Sequence, residues 1–262
     1  MRLGFDLDGT VADLQGALAR EARRLFPGID PDTLPRSVSP EAGQTDPEQR
    51  TEPVDDPAFT MSSLSVRQQK ELWAAACARV NFWEGLDEIE PGSLQRLARI
   101  VRERKWEVIF LTSRPETSGD TAQLQSQRWL AERGFPLPSV FVVHGSRGKI
   151  AASLQLDVLV DDRPENCLDV AIDSTARAIL LWRGGEDKVP GSARQLGIGA
   201  VTSIAECLDI LEALDRAEDE VSLVDRFKRL LGLKPSRRSP AKPAGSPSSP
   251  LQTEPTKTAN VR

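Results

Sequence analysis

Leu3-Gly-Phe-Asp-Leu-Asp-Gly-Thr10 is the stretch whose reading decides the fold of this chain. Leu3, Phe5 and Leu7 alternate with glycine and acids, the pattern of a short strand buried in a sheet. The strand delivers two carboxylates, Asp6 and Asp8, and then turns at Gly9-Thr10. Open α/β sheets build their sites at the C-terminal ends of strands, so the two acids mark a site.

Working outward, the chain settles into alternation. Apolar runs at 108–112, 140–143, 158–160 and 178–182 read as further strands. Helical spacing covers 91–105, 120–134, 149–154, 164–172 and 203–214 between and after them. Strands alternating with helices predict an α/β fold, a doubly wound parallel sheet of about five strands with right-handed crossovers. Helices are also expected at 14–26 and 63–80, flanking a stretch, 27–58, with seven prolines and eight acids against two arginines. That excess of proline and acid predicts an irregular excursion. The expected organisation is a catalytic core of 1–13 and 86–217, and a helical cap at 14–85 inserted after the first strand. An amphipathic helix with a disordered basic tail follows at 218–262. An insertion at the active end of a sheet stands where a lid would sit.

Composition limits the function classes. The 262 residues are 39% apolar and 28% charged, and no run is long enough to span a bilayer. Cys77, Cys167 and Cys207 are odd in number and without a CxxC pair, which reads as free thiols. No secretory leader precedes the first strand, and the expected address is the cytoplasm. The net charge of −5 hides an asymmetry: from Arg226 onward nine Lys/Arg face one acid, so that part is +8 and residues 1–225 are −13. An acidic domain lacks the basic footprint that nucleic-acid binding needs. A phosphate monoester held through a metal ion is compatible with it, because the ion brings its own positive charge.

Four chemical features stand at strand ends, in order: Asp6/Asp8, Thr112-Ser113-Arg114, Lys149, and Asp161/Asp162. In this order and setting the pattern resembles the haloacid dehalogenase (HAD) superfamily of phosphatases. Asn81-Phe-Trp-Glu-Gly-Leu86, Leu111-Thr-Ser-Arg-Pro115 and Val160-Asp-Asp-Arg-Pro-Glu-Asn166 look like its 5′(3′)-deoxyribonucleotidase branch, the cytosolic type C 5′-nucleotidases. The resemblance implies a Mg²⁺-dependent phosphomonoesterase working through an aspartyl-phosphate on Asp6, with a small phosphomonoester, a nucleotide, as substrate. It assigns Asp8 as general acid and base, and Thr112, Ser113 and Lys149 as phosphate-binding residues. Asp6, the Asp8 carbonyl and Asp162 would hold Mg²⁺, with Asp161 behind them. The chemistry is coherent, since phosphoryl transfer asks mainly for positioning and charge stabilisation.

Each residue has a plainer reading. Strand-end acids also cap helices, Lys149 can be a solvated lysine with Arg147 in its place, and Arg114 and Arg163 can either reach a substrate phosphate or be surface ion-pair partners. Gly145-Ser-Arg-Gly-Lys149 has glycine spacing too short for a nucleotide-binding P-loop. His144 is the lone histidine and is taken as structural. Trp73, Phe82 and Trp83 read as core, and would be the stacking surface if the substrate carries a base. Two alternatives stand beside the nucleotidase reading. One is a polynucleotide 3′-phosphatase-like or other small-phosphomonoester enzyme, suggested by Arg128-Trp-Leu130. The other is an interaction protein with a vestigial core that meets an anionic partner through its basic tail.

Overall fold

The computed structural model describes residues 1–27, 64–184 and 188–216. Most of the proline- and acid-rich excursion, and the expected tail at 218–262, lie outside the described residues. Six strands, β1 (Arg2–Asp6), β2 (Glu107–Thr112), β3 (Ser139–Val142), β4 (Val158–Asp161), β5 (Arg177–Leu181) and β6 (Gly199–Val201), form one sheet. Every neighbouring pair is parallel and the order is β3-β2-β1-β4-β5-β6. The fold is α/β with helices on both faces, one strand larger than the sequence predicts. β6 is only three residues, Gly-Ala-Val, too short for a legible alternation.

The helices are α1 (Leu14–Leu25), α2 (Val66–Ala78), α3 (Ser93–Arg104), α4 (Ala122–Ala131), α5 (Arg147–Ser153), α6 (Pro164–Asp173), α7 (Gly191–Gln195) and α8 (Ile204–Arg216). Strand side chains alternate between two cores. Leu3, Phe5, Phe110, Val160 and Ile179 pack with Leu94 and Leu97 of α3, Trp129 of α4 and Leu208 of α8. Leu111 and Leu159 point the other way, onto Ala151 of α5 and Val170 of α6. The chain lays β2 and β3 to one side of β1, then returns to lay β4, β5 and β6 on the other. With right-handed crossovers that reversal sends α5, α6 and α7 to the opposite face. The strand order therefore reverses beside β1, at the junction with β4.

The chain between β1 and α3 leaves and rejoins the sheet through an antiparallel pair of segments. Asp13 donates its amide to Asp87 O at 2.9 Å, and Ile89 donates to Val11 O at 3.0 Å. Inside it, α1 is capped by the Asp13 side chain on the Gly16 amide. Ser65 and Gln68 form a capping box on α2, so this helix begins three residues later than its apolar spacing predicts. A short 3-10 turn, Phe82–Gly85, precedes α3 with Phe82 and Trp83 buried. No helix among the described residues is long and apolar enough to cross a membrane.

Candidate active site

The strand order reverses between β1 and β4, where open α/β sheets carry their ligand crevice, and both strands end in acids there. Asp6 closes β1, Asp161 closes β4, and Asp162 follows at once. Oxygens of these three carboxylates lie within 4.8 Å of one another. Gly9 makes the approach feasible. Its φ of 83° favours a residue without a Cβ, and a Cβ there would collide with the Asp162 carboxylate. The turn and the cluster thus depend on the same glycine.

Three buried or half-buried carboxylates with little counter-charge resist ionisation. Burial raises the Asp6 carboxyl well above its ordinary value, with Asp161 adding to the rise and Arg147 opposing it. Asp162 is pushed up to about 8, first by burial and then by Asp161. Asp161 is raised by burial, while Arg147 and its hydrogen bonds pull it back. Asp161 is also the most tied down. Asn166 Nδ2 donates to its Oδ1 and Oδ2 at 3.0 and 2.9 Å, and the Arg163 amide to Oδ1 at 2.9 Å. Asp162 takes a long contact from Thr10 Oγ1 at 3.5 Å and a backbone hydrogen bond from its own amide.

Arg147, from the first turn of α5, is only 3% exposed. Its Nη2 donates to Asp6 Oδ1 at 3.0 Å and to Ser113 Oγ at 3.1 Å. Its Nε stands 3.7 Å from Asp161 Oδ2, too far for a hydrogen bond, and Nε and Nη1 are buried without a hydrogen-bond partner. Buried guanidinium donors are costly to leave unmet. An anion or ordered water in this crevice would meet them.

Asp8 faces different company. Arg114 Nε reaches both its oxygens at 3.0 and 2.9 Å, and Nη2 reaches Oδ1 at 2.8 Å. Thr112 Oγ1 donates to Asp8 Oδ2 at 3.0 Å and accepts the Arg114 amide at 3.2 Å. The Thr112 hydroxyl is thereby turned onto Asp8.

Of the residues singled out from sequence, Asp6, Asp161 and Asp162 come together, with Ser113 joined to them through Arg147. Thr112 joins Asp8. Lys149 is exposed on α5, where its amide takes the Ser146 cap, and Arg147 supplies the guanidinium at the cluster. His144 is exposed, Cys167 and Cys207 are buried, and Cys77 is half-buried. Phe82 and Trp83 are core, and Arg128 pairs with Glu84 and Asp120.

Two residues are named by a sequence reading but left undecided by it. Arg147 sits two positions before the lysine that draws attention, and nothing local says which cation turns inward. Arg114 is 2% exposed rather than a surface ion-pair partner. One hint exists: Gln125 and Ser126 interrupt the inward stripe of Ala122, Trp129 and Leu130 on α4, which calls for buried polar partners.

No family's sequence model and no curated protein matches this chain. Among solved structures, a hydrolase from Pseudomonas syringae shares 17% identity, covering 82% of this chain and 99% of its own, with a TM-score of 0.44. A HAD family hydrolase from Deinococcus radiodurans, crystallised with bound phosphate and sodium, shares 14% over 90% of this chain and 98% of its own, also at 0.44. A haloacid dehalogenase-like family protein from Streptococcus pneumoniae shares 12%, covering 80% and 97%, at 0.45. Identities and TM-scores this low add no weight to a functional reading.

Proposed function

We propose that this chain is a Mg²⁺-dependent phosphomonoesterase of the HAD superfamily that works through an aspartyl-phosphate on Asp6. The observation that carries the reading is the joint placement of Asp6, Asp161 and Asp162 at the strand-order reversal, with the unmet donors of buried Arg147 beside them. The donor set fits a hard dication: all oxygens, close together, and crowded enough that their own ionisation is suppressed. Mg²⁺ held by Asp6 and Asp162, with the Asp8 carbonyl beside them and Asp161 behind, would supply the positive charge that lets a carboxylate approach a phosphate dianion.

The chain's own residues then divide the work. An Asp6 oxygen bonds to phosphorus as the ester oxygen departs, and Asp8 gives that oxygen its proton. Asp8 next takes a proton from water, whose oxygen bonds to phosphorus and releases Asp6. Arg147, steered by Ser113, has Nε and Nη1 free to bind the phosphoryl oxygens, the charge stabilisation that this chemistry mainly requires. Lys149 can take part only after a change in its exposed setting.

We assign the substrate to the nucleoside monophosphates, deoxynucleotides included, in a 5′-nucleotidase of the cytoplasm. Support comes from the three nucleotidase-like runs, all of which border the site. Trp83 lies over Arg114, Arg114 grips Asp8, and Asn166 braces Asp161. With Phe82 and Trp83 committed to the core, a base would have to stack elsewhere, with the insertion selecting it. The basic tail, outside the described residues, is left a role only with an anionic partner. The test is phosphate release from nucleoside 5′- and 3′-monophosphates, a 3′-phosphorylated oligonucleotide and simple phosphate esters, with Mg²⁺ and with EDTA. Turnover of a nucleotide that stops with EDTA and in Asp6→Asn is expected. Activity surviving either change would sink the mechanism, and a preferred oligonucleotide or non-nucleotide ester would replace the substrate class.

A further inference from the structure

The buried arginine on the far side of the turn has no part in the chemistry above, and its surroundings are unusually complete. Arg114 Nη1 donates to Ser126 Oγ at 2.8 Å, and that hydroxyl donates onward to Ala122 O at 2.6 Å. The guanidinium carbon lies 4.9 Å from the centroid of Trp83 and 5.9 Å from that of Trp129. Both indoles are themselves fixed: Trp83 Nε1 donates to Pro115 O at 3.1 Å and Trp129 Nε1 to Leu86 O at 2.7 Å. Trp83 also donates its amide to Gln125 Oε1 at 3.0 Å. Trp83 and Leu86 belong to the segment where the chain leaves the insertion and re-enters the core.

A buried ion pair adds little net stability over apolar packing of the same volume, because desolvation consumes the Coulomb gain. What a bidentate pair does supply is geometry, since a carboxylate gripped at both oxygens cannot rotate. We propose that Arg114 is a positioning residue that fixes the Asp8 carboxylate for proton exchange. The junction of insertion and core thereby sets the acid and base through the Trp83–Arg114–Asp8 contact. This inference rests on the phosphomonoesterase reading of Asp6 and Asp8.

The test compares leaving groups in the full chain with Mg²⁺. An alkyl phosphate needs a proton on its departing oxygen, whereas p-nitrophenyl phosphate releases a phenolate that leaves without one. Arg114→Lys keeps the charge and loses the two-pronged grip. It should lower kcat/KM, which reports phosphoryl transfer to Asp6, about 100-fold on the alkyl ester, within the range of a general acid. On p-nitrophenyl phosphate the loss in kcat/KM should stay within about 5-fold, since that transfer needs no proton and the water step shared by both esters comes later. Ser126→Ala, which frees Nη1, should show the same selectivity at about 3- to 10-fold, the scale of one lost hydrogen bond. If Arg114→Lys fails to melt cooperatively, Ser126→Ala decides. Equal losses on the two esters, or an unaltered ratio, overturn the positioning role alone. A wild-type chain that hydrolyses neither ester overturns the phosphomonoesterase reading, and this role with it.

Discussion

On the β4 side of the opening turn, three carboxylates cluster and one buried guanidinium faces two of them; on the β2 side, one carboxylate meets one guanidinium between two indoles. Asp6 and Asp8 are two residues apart, yet the first lies in a pocket short of positive charge and the second in a pocket already balanced. The difference teaches how one strand end can serve two chemical roles. The unbalanced pocket asks for an added cation and for an anion to meet Arg147. The balanced pocket asks for nothing further, and so can hold a proton carrier still.

The largest effect that would break this contrast is at the nucleophile. Asp6→Asn keeps the shape and removes the attacking oxygen's charge, and should cut kcat by at least about 10³-fold, with no labelled phospho-enzyme trapped on acid quench. Arg147→Ala should cost about 10²- to 10³-fold in kcat, as loss of a preorganised donor does. Comparable turnover by the Arg147 variant would show that the pocket recruits another cation. Asn166→Ala leaves Asp161 without its two side-chain bonds and should weaken Mg²⁺ activation about 10-fold or more, read as a shift in the Mg²⁺ concentration for half-maximal rate.

Stability supplies a test independent of turnover. Without a divalent ion the folded state holds protons on Asp6 and Asp162 that the unfolded chain releases near pH 4. The folded state thus binds more protons between that value and about 8, where Asp162 titrates, and stability must fall as pH rises across this window. Bound Mg²⁺ replaces those protons. Melting curves in EDTA should show Tm declining from pH 5 to pH 8.5, and the rise in Tm on adding Mg²⁺ should be larger at pH 8.5. A Mg²⁺ effect equal at both pH values would separate the ion from the cluster. The smallest effect is at the exposed lysine: Lys149→Ala should leave kcat within about 2-fold, and a loss like that of Arg147→Ala would move the phosphate-binding role to it.

Much of the fold was legible because its signals are local. A buried parallel strand must be apolar throughout and a crossover helix must carry an apolar stripe, so β1, β2, β4 and their helices announce themselves. β6 does not, since three small residues are pinned as a strand only by β5 beside them. The site was legible in its acids and illegible in its arginines. An aspartate carboxylate at a strand end is one methylene from the backbone that positions it. An arginine side chain spans several angstroms and goes where burial and partners allow.

The sequence by itself determined the α/β sheet and the acids that end β1 and β4, because strand alternation and the Gly9 turn are properties of consecutive residues. Tertiary structure alone decided that Arg147 rather than Lys149 meets Asp6, and that Arg114 is buried on Asp8 between Trp83 and Trp129. Those pairings join residues far apart in the chain. Their free energy comes from desolvation and mutual geometry, which exist only once the sheet has brought the partners together.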